Sequence, residues 1–129
     1  MPPAARVPGI VVARRFVGQA DDAVVMLLEI RAYSQGCLLD FVATARSVSP
    51  AERPRLDADL GDRVAGEYVV RRLDDPLTGA PRLWISPLPP VEGFTLVVEW
   101  PGFGIEQRTP VDGGPIRQAA WESFPALPA

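Results

Sequence analysis

The chain has 129 residues, 47% of them hydrophobic and 22% charged, which suits one globular domain with a core of its own. Its formal charge is −3 and all thirteen basic residues are arginines scattered along the chain, so the clustered basic footprint of a nucleic-acid binder is missing. With no histidine, no lysine and one cysteine, the residues carry no Ser-His-Asp or Cys-His arrangement, no Schiff-base or phosphate-loop lysine, no thiolate cage and no internal disulfide.

Residues 1–9 hold three prolines and read as an irregular lead-in. They lack the basic, apolar and small-residue order of a secretory signal, so a cytoplasmic location is expected. "IVVARRFV" (residues 10–17) is β-branched and reads as a first strand, and "GQADD" as a turn. The longest apolar run, "AVVMLLEI", is interrupted by Glu29 and falls far short of the ~20 residues that cross a bilayer.

Strand side chains alternate between faces. Val24, Met26, Leu28, Ile30 and Ala32 therefore form one apolar set, directed to the core. After "SQG", Leu39, Phe41, Ala43 and Ala45 form another, with Asp40, Thr44 and Arg46 on the reverse face. Both sets share one face if Gln35 and Gly36 make a two-residue turn. That register sets Ile30 opposite Phe41, and Arg31 opposite Asp40 as a charged pair.

Residues 47–66 are polar, contain Pro50 and Pro54, and read as a long loop with a helical turn near Ser49 and Pro50. "EYVVRRL", "DDPLTGAP" and "RLWIS" read as strand, turn and returning strand. "SPLPPVEG" has three prolines in eight residues and cannot be a central strand. It reads as a stiff extended crossover between sheets. "FTLVVEW" then sends Phe94, Leu96, Val98 and Trp100 inward. "PGFG" turns the chain, with Pro101 and Gly102 at the centre of a type II turn. The next strand, residues 105–111, aligns Ile105, Gln107, Thr109 and Val111 on one side, and Pro110 marks it as an edge. A helix is expected over residues 113–124, capped by Asp112 or Gly114, with Ile116, Ala119, Ala120 and Phe124 on one stripe. The whole predicts a single mainly β domain over residues 1–129. It is an antiparallel β-sandwich or flattened barrel of about seven strands with a short C-terminal helix.

"WISPLPPVEGFTLVVEWPGFGI" and the downstream "DGGPIRQAA" resemble a group of small actinobacterial proteins of uncharacterised activity. They share a proline-rich crossover, a Trp-Pro turn followed by Gly-Ile, and an Ile-Arg-x-Ala-Ala helix. The likeness runs from residue 83 to the C-terminus and implies a shared architecture without an activity.

Three functional readings follow. The first is a non-catalytic protein-binding or assembly module, self-associating as a homodimer, with the loop 47–66 and the edge near Pro110 as its surfaces. The second is a small apolar-ligand-binding barrel with Phe41, Trp84 and Trp100 around a cavity. The third is a carboxylate enzyme using Glu99 and Glu106, which face each other if residues 101–104 form a four-residue loop. The first is preferred, with no catalytic residue, cofactor, metal, nucleic acid or membrane expected. The aspartates of "DD", "DAD" and "DD" are read as turn residues, and Arg108 as a neighbour that neutralises the glutamates. "PLPP" is read as the crossover rather than a ligand for an aromatic groove. Cys37 has the parity of the inner face and is read as a small buried thiol.

Overall fold

A computed structural model describes residues 6–46, 53–61, 67–122 and 124–125. Its elements in chain order are β1 (Arg6–Val7), β2 (Gly9–Gln19), β3 (Ala23–Tyr33), β4 (Gly36–Ala45), β5 (Arg55–Asp59), β6 (Val69–Arg72) and β7 (Arg82–Ser86), followed by β8 (Phe94–Trp100), β9 (Ile105–Val111), α1 (Gly113–Trp121) and β10 (Phe124–Pro125). One sheet has five strands in the order β2-β3-β4-β7-β6, a second has three in the order β5-β8-β9, and β1 pairs with β10. Every pairing is antiparallel. The two sheets are open, so the fold is a sandwich rather than a barrel, with a short C-terminal helix as expected. Its main sheets hold eight described strands instead of about seven.

The core forms because each sheet turns alternate apolar residues inward. Leu39 and Phe41 of β4, Leu83 and Ile85 of β7, and Leu96 and Val98 of β8 are all buried in one cluster. Burial of one such side chain contributes about 1.5–3 kcal/mol. The proline-rich segment leaves β7 in the larger sheet and delivers the chain to β8 in the smaller one, which is the crossover expected. Helix α1 adds Ile116, Ala119 and Ala120 to the same core and lies over β2 and β3. Gly9 permits that contact, because a Cβ there would lie 1.8 Å from the Ala119 carbonyl oxygen. The helix starts as its sequence suggests, with the Asp112 carboxylate accepting from the Gly114 N–H at 2.9 Å.

The β8–β9 hairpin has the expected faces and register. Trp100 pairs with Ile105, closing a four-residue connection. The turn itself differs: Pro101–Phe103 is a single 3-10 turn, and Gly104, at φ 68°, supplies the left-handed residue. Glycine tolerates that backbone without strain. Strand β9 is an edge, as Pro110 requires.

The β3–β4 hairpin departs from its expected register by two residues. Tyr33 pairs with Gly36 around a Ser34–Gln35 turn, so Ile30 lies opposite Leu39. A bulge at Leu28 then shifts the ladder, and Leu27, not Ile30, faces Phe41. The extra residue reverses the parity of β3. Ala23, Val25 and Leu27 are buried before the bulge, Ile30 and Ala32 after it. Val24, Met26 and Leu28 therefore belong to the other face, which corrects the even-numbered core set. Arg31 still meets Asp40, at 3.1 Å, but diagonally, since Asp40 is paired with Glu29.

Three boundaries also change. The expected loop 47–66 contains strand β5, whose Leu56 and Ala58 point inward while Arg55, Asp57 and Asp59 are exposed. Pairing with β8 satisfies its backbone, which short polar sequence alone does not reveal. The helical turn near Ser49 and Pro50 lies outside the described residues. The lead-in 1–9 includes the short strand β1, and β2 begins at Gly9. Helix α1 ends at Trp121 rather than residue 124, and Phe124 pairs with Val7.

Candidate functional site

The larger sheet has two faces of unlike character. Its inner face is core. Its outer face can be traced strand to strand, because residues directly opposite in an antiparallel pair share a face. One row runs Phe16, Met26, Val42 across β2, β3 and β4. A second runs Val12, Glu29, Asp40, Arg82, and a third runs Ile10, Arg31, Leu38, Trp84, Arg71 across all five strands.

The β2 side of this face is apolar and open. Val12 is 67% exposed, Phe16 48%, Ile10 46% and Val42 40%. Val12, Met26 and Leu28 line a surface concavity of about 530 Å³, with Arg14 and Glu29 at its margin. Arg14 reaches that margin from a bulge in β2, where its φ is 48°. Isolated exposed apolar residues are ordinary; these lie together on adjacent strands of one sheet.

Further across, the face is charged but internally paired. Asp40 is buried and takes Arg82 Nε on Oδ1 at 2.7 Å. Its Oδ2 faces Arg31 Nε at 3.1 Å, an ion pair without hydrogen-bond alignment. Arg82 also reaches Asp75 at 3.2 Å, and Arg31 reaches Glu29 at 3.6 Å. Beyond this row, Tyr33, Leu38 and Trp84 form a small separate cluster, with Tyr33 edge-on to Trp84 at 6.1 Å between ring centroids. Burial raises the Tyr33 phenol above its ordinary value, outweighing the opposing pull of Arg31.

The residues singled out from sequence fall into three places. Phe41 and Trp100 enter the main core, whereas Trp84 alternates with Leu83 and Ile85 and projects from the opposite face. The three do not surround one cavity. Glu99 and Glu106 are directly paired across β8–β9, as the four-residue connection requires. Arg55 lies opposite Glu99 on its other side, while Arg108 is committed to Asp59. Cys37 is fully buried, and desolvation pushes its thiol up to about 12. At the β9 edge, the Pro110 carbonyl accepts from Arg15 Nη1 at 3.3 Å, so β2 already touches it.

Of the outer-face residues, Met26 and Leu28 were assigned to the core from sequence, and Ile10, Val12, Phe16 and Val42 were not singled out. Their signal was present: "VVMLL" is apolar at both parities, which a strand with one wet face does not need. No group of acidic, cysteine or histidine side chains among the described residues is arranged to hold a metal ion. No described helix is long and apolar enough to cross a membrane. Comparison with protein families, curated sequences and solved structures finds no match.

Proposed function

We propose that this chain is a non-catalytic binding and assembly module that pairs with a second copy of itself through the outer face of β2, β3 and β4. The observation that carries this is the row Phe16, Met26, Val42, three apolar side chains side by side on adjacent strands, with Phe16 48% and Val42 40% exposed. A twofold interface must be complementary to itself. Arg14 and Glu29 at the margin of the concavity meet that need, since each would face its opposite on the second copy. The paired charges of Asp40, Arg31 and Arg82 can border such a contact without stranding an ion. A homodimer in a cytoplasmic setting also suits a chain whose one thiol is buried.

Three strands about 35 Å long at about 4.8 Å spacing offer roughly 500 Å² per copy. That is below the roughly 800 Å² per partner of a standard interface, the size class of weak, transient association. Sedimentation over about 1 μM to about 1 mM should show a monomer–dimer equilibrium in that range. Phe16→Asp should abolish it while leaving the circular dichroism and unfolding midpoint nearly unchanged. A strict monomer throughout, or a dimer untouched by Phe16→Asp, would reject the reading.

A further inference from the structure

Strand β2 carries a bulge in the middle of its outer apolar face. Between the pairs Val12–Glu29 and Arg15–Leu27, two residues of β2, Ala13 and Arg14, stand against the single Leu28. Ala13 packs against the core, so Arg14 turns outward and lines the concavity beside Glu29. Arg15 turns back and donates to the Pro110 carbonyl at 3.3 Å, a link to β9. Two consecutive arginines thus serve opposite sides of the sheet.

The backbone of Arg14 is strained, with φ at 48°. A bulge residue in this left-handed region is ordinarily glycine, because any Cβ crowds the following carbonyl. Elsewhere the sequence obeys that rule: every other described residue with positive φ is a glycine. At Gly79 and Gly104 a Cβ would meet nothing, so glycine stands there for the backbone alone. Arg14 is the exception, yet within the chain its side chain does nothing that repays the strain. Its guanidinium has no hydrogen bond or ion pair with any described residue. Glu29 beside it has Arg31 at 3.6 Å, too far for a hydrogen bond, and Arg31 lies closer to Asp40, at 3.1 Å. An exposed five-donor fork and a carboxylate with accepting capacity therefore lie on one rim of the concavity.

We infer that Arg14 fixes the register of the twofold contact proposed above, on which this conclusion rests: its guanidinium meets Glu29 of the second copy, and its own Glu29 meets the second copy's Arg14. Two stacked faces related by a twofold have the axis in the plane between them, so residue i meets j and j meets i. An axis passing between Arg14 and Glu29 forms both pairs at once. Apolar side chains alone allow the two faces to slide, whereas a pair of charged contacts allows one register and opposes the rest. Arginine suits this task because its fork takes a carboxylate by geometry as well as charge.

The test is a charge swap in the full chain, read by sedimentation over the range given above. Arg14→Glu sets like charges together twice per dimer, and so does Glu29→Arg; each alone should weaken self-association by at least about tenfold. Mixed in equal amounts, the two variants should form a heterodimer within about threefold of the wild-type affinity, because both pairs are again opposite in sign. Arg14→Gly suits the backbone and deletes the guanidinium. It should weaken the dimer several-fold without lowering the urea midpoint, whereas an arginine needed by the fold would lower it. Should Glu29→Arg fail to fold, Glu29→Gln takes its place and should bind Arg14→Glu more tightly than Arg14→Glu binds itself. A wild-type dimer that Phe16→Asp abolishes but Arg14→Glu leaves intact overturns the role of Arg14 and spares the contact face. So does a pair of swapped variants that stays monomeric when mixed. A wild type that is monomeric throughout overturns both.

Discussion

The two principal hairpins of this protein are built from similar apolar material and end with opposite roles. In β8–β9 the ladder is unbroken from Phe94–Val111 to Trp100–Ile105, and every inward position of β8 is buried. In β3–β4 one extra residue at Leu28 interrupts the ladder, so the inward set changes parity, and β3, whose first half is apolar at both parities, sends apolar side chains to both faces. Strand β2 is bulged twice against it and does the same. The regular hairpin is therefore dedicated to the core, while the bulged pair contributes to the core and also leaves an apolar surface outside. Bulges re-aim side chains without changing composition, and here they decide which parity of β3 enters the core.

That contrast is open to breakage. The largest effect should come from the regular hairpin: Leu96→Ala, at a fully buried site, should cost about 2–5 kcal/mol in urea unfolding. Asp40→Ala removes the shared acceptor of Arg31 and Arg82. Because those arginines keep 35% and 25% of their side chains exposed, water recovers part of the loss, and about 1–2 kcal/mol is expected. Phe16→Ser should shift monomer stability by no more than about 0.5 kcal/mol while weakening dimerisation. An effect on unfolding as large as that of Leu96→Ala would make β2's outer face a second core rather than a surface.

Two pH effects sharpen the picture. The buried Cys37 thiol titrates near 12 in the folded chain, against about 8.5 when unfolded. Its contribution to stability is complete below the unfolded value and drains away as pH rises from there toward 12. Native protein at pH 8 should resist a thiol reagent until it unfolds. At the acid end, Asp75 is held below the ordinary aspartate value by the Leu77 and Thr78 N–H groups, and Asp59 by the Gly61 N–H and Arg108. Their support is present above about pH 4 and is lost as pH falls through the depressed folded values. A small stability decline beginning below about pH 4, not above it, is the expected observation.

Much of the fold was legible where local chemistry speaks alone. Alternation set the faces of β8 and β9, proline excluded a strand at residues 87–90, and Asp112 announced the helix. Strand β5 was hidden because its two inward residues, Leu56 and Ala58, alternate with Arg55, Asp57 and Asp59 and follow Pro54 in a loop-like stretch. It becomes a strand only when β8 offers a ladder. Trp84 was misplaced for a related reason: alternation says that it opposes Leu83 and Ile85, but not which set faces the core. The exposed apolar face was missed because its residues depend on two bulged ladders.

From composition and period alone, the chain determined a mainly β antiparallel fold, sandwich or flattened barrel, with its crossover, the Glu99–Glu106 juxtaposition and a buried Cys37. Those features depend on spacing within a few residues. Tertiary structure decided which face of each strand met the partner sheet and where a ladder skipped a residue. Such choices are settled by packing between segments far apart in sequence, where a single inserted residue reverses every side chain beyond it.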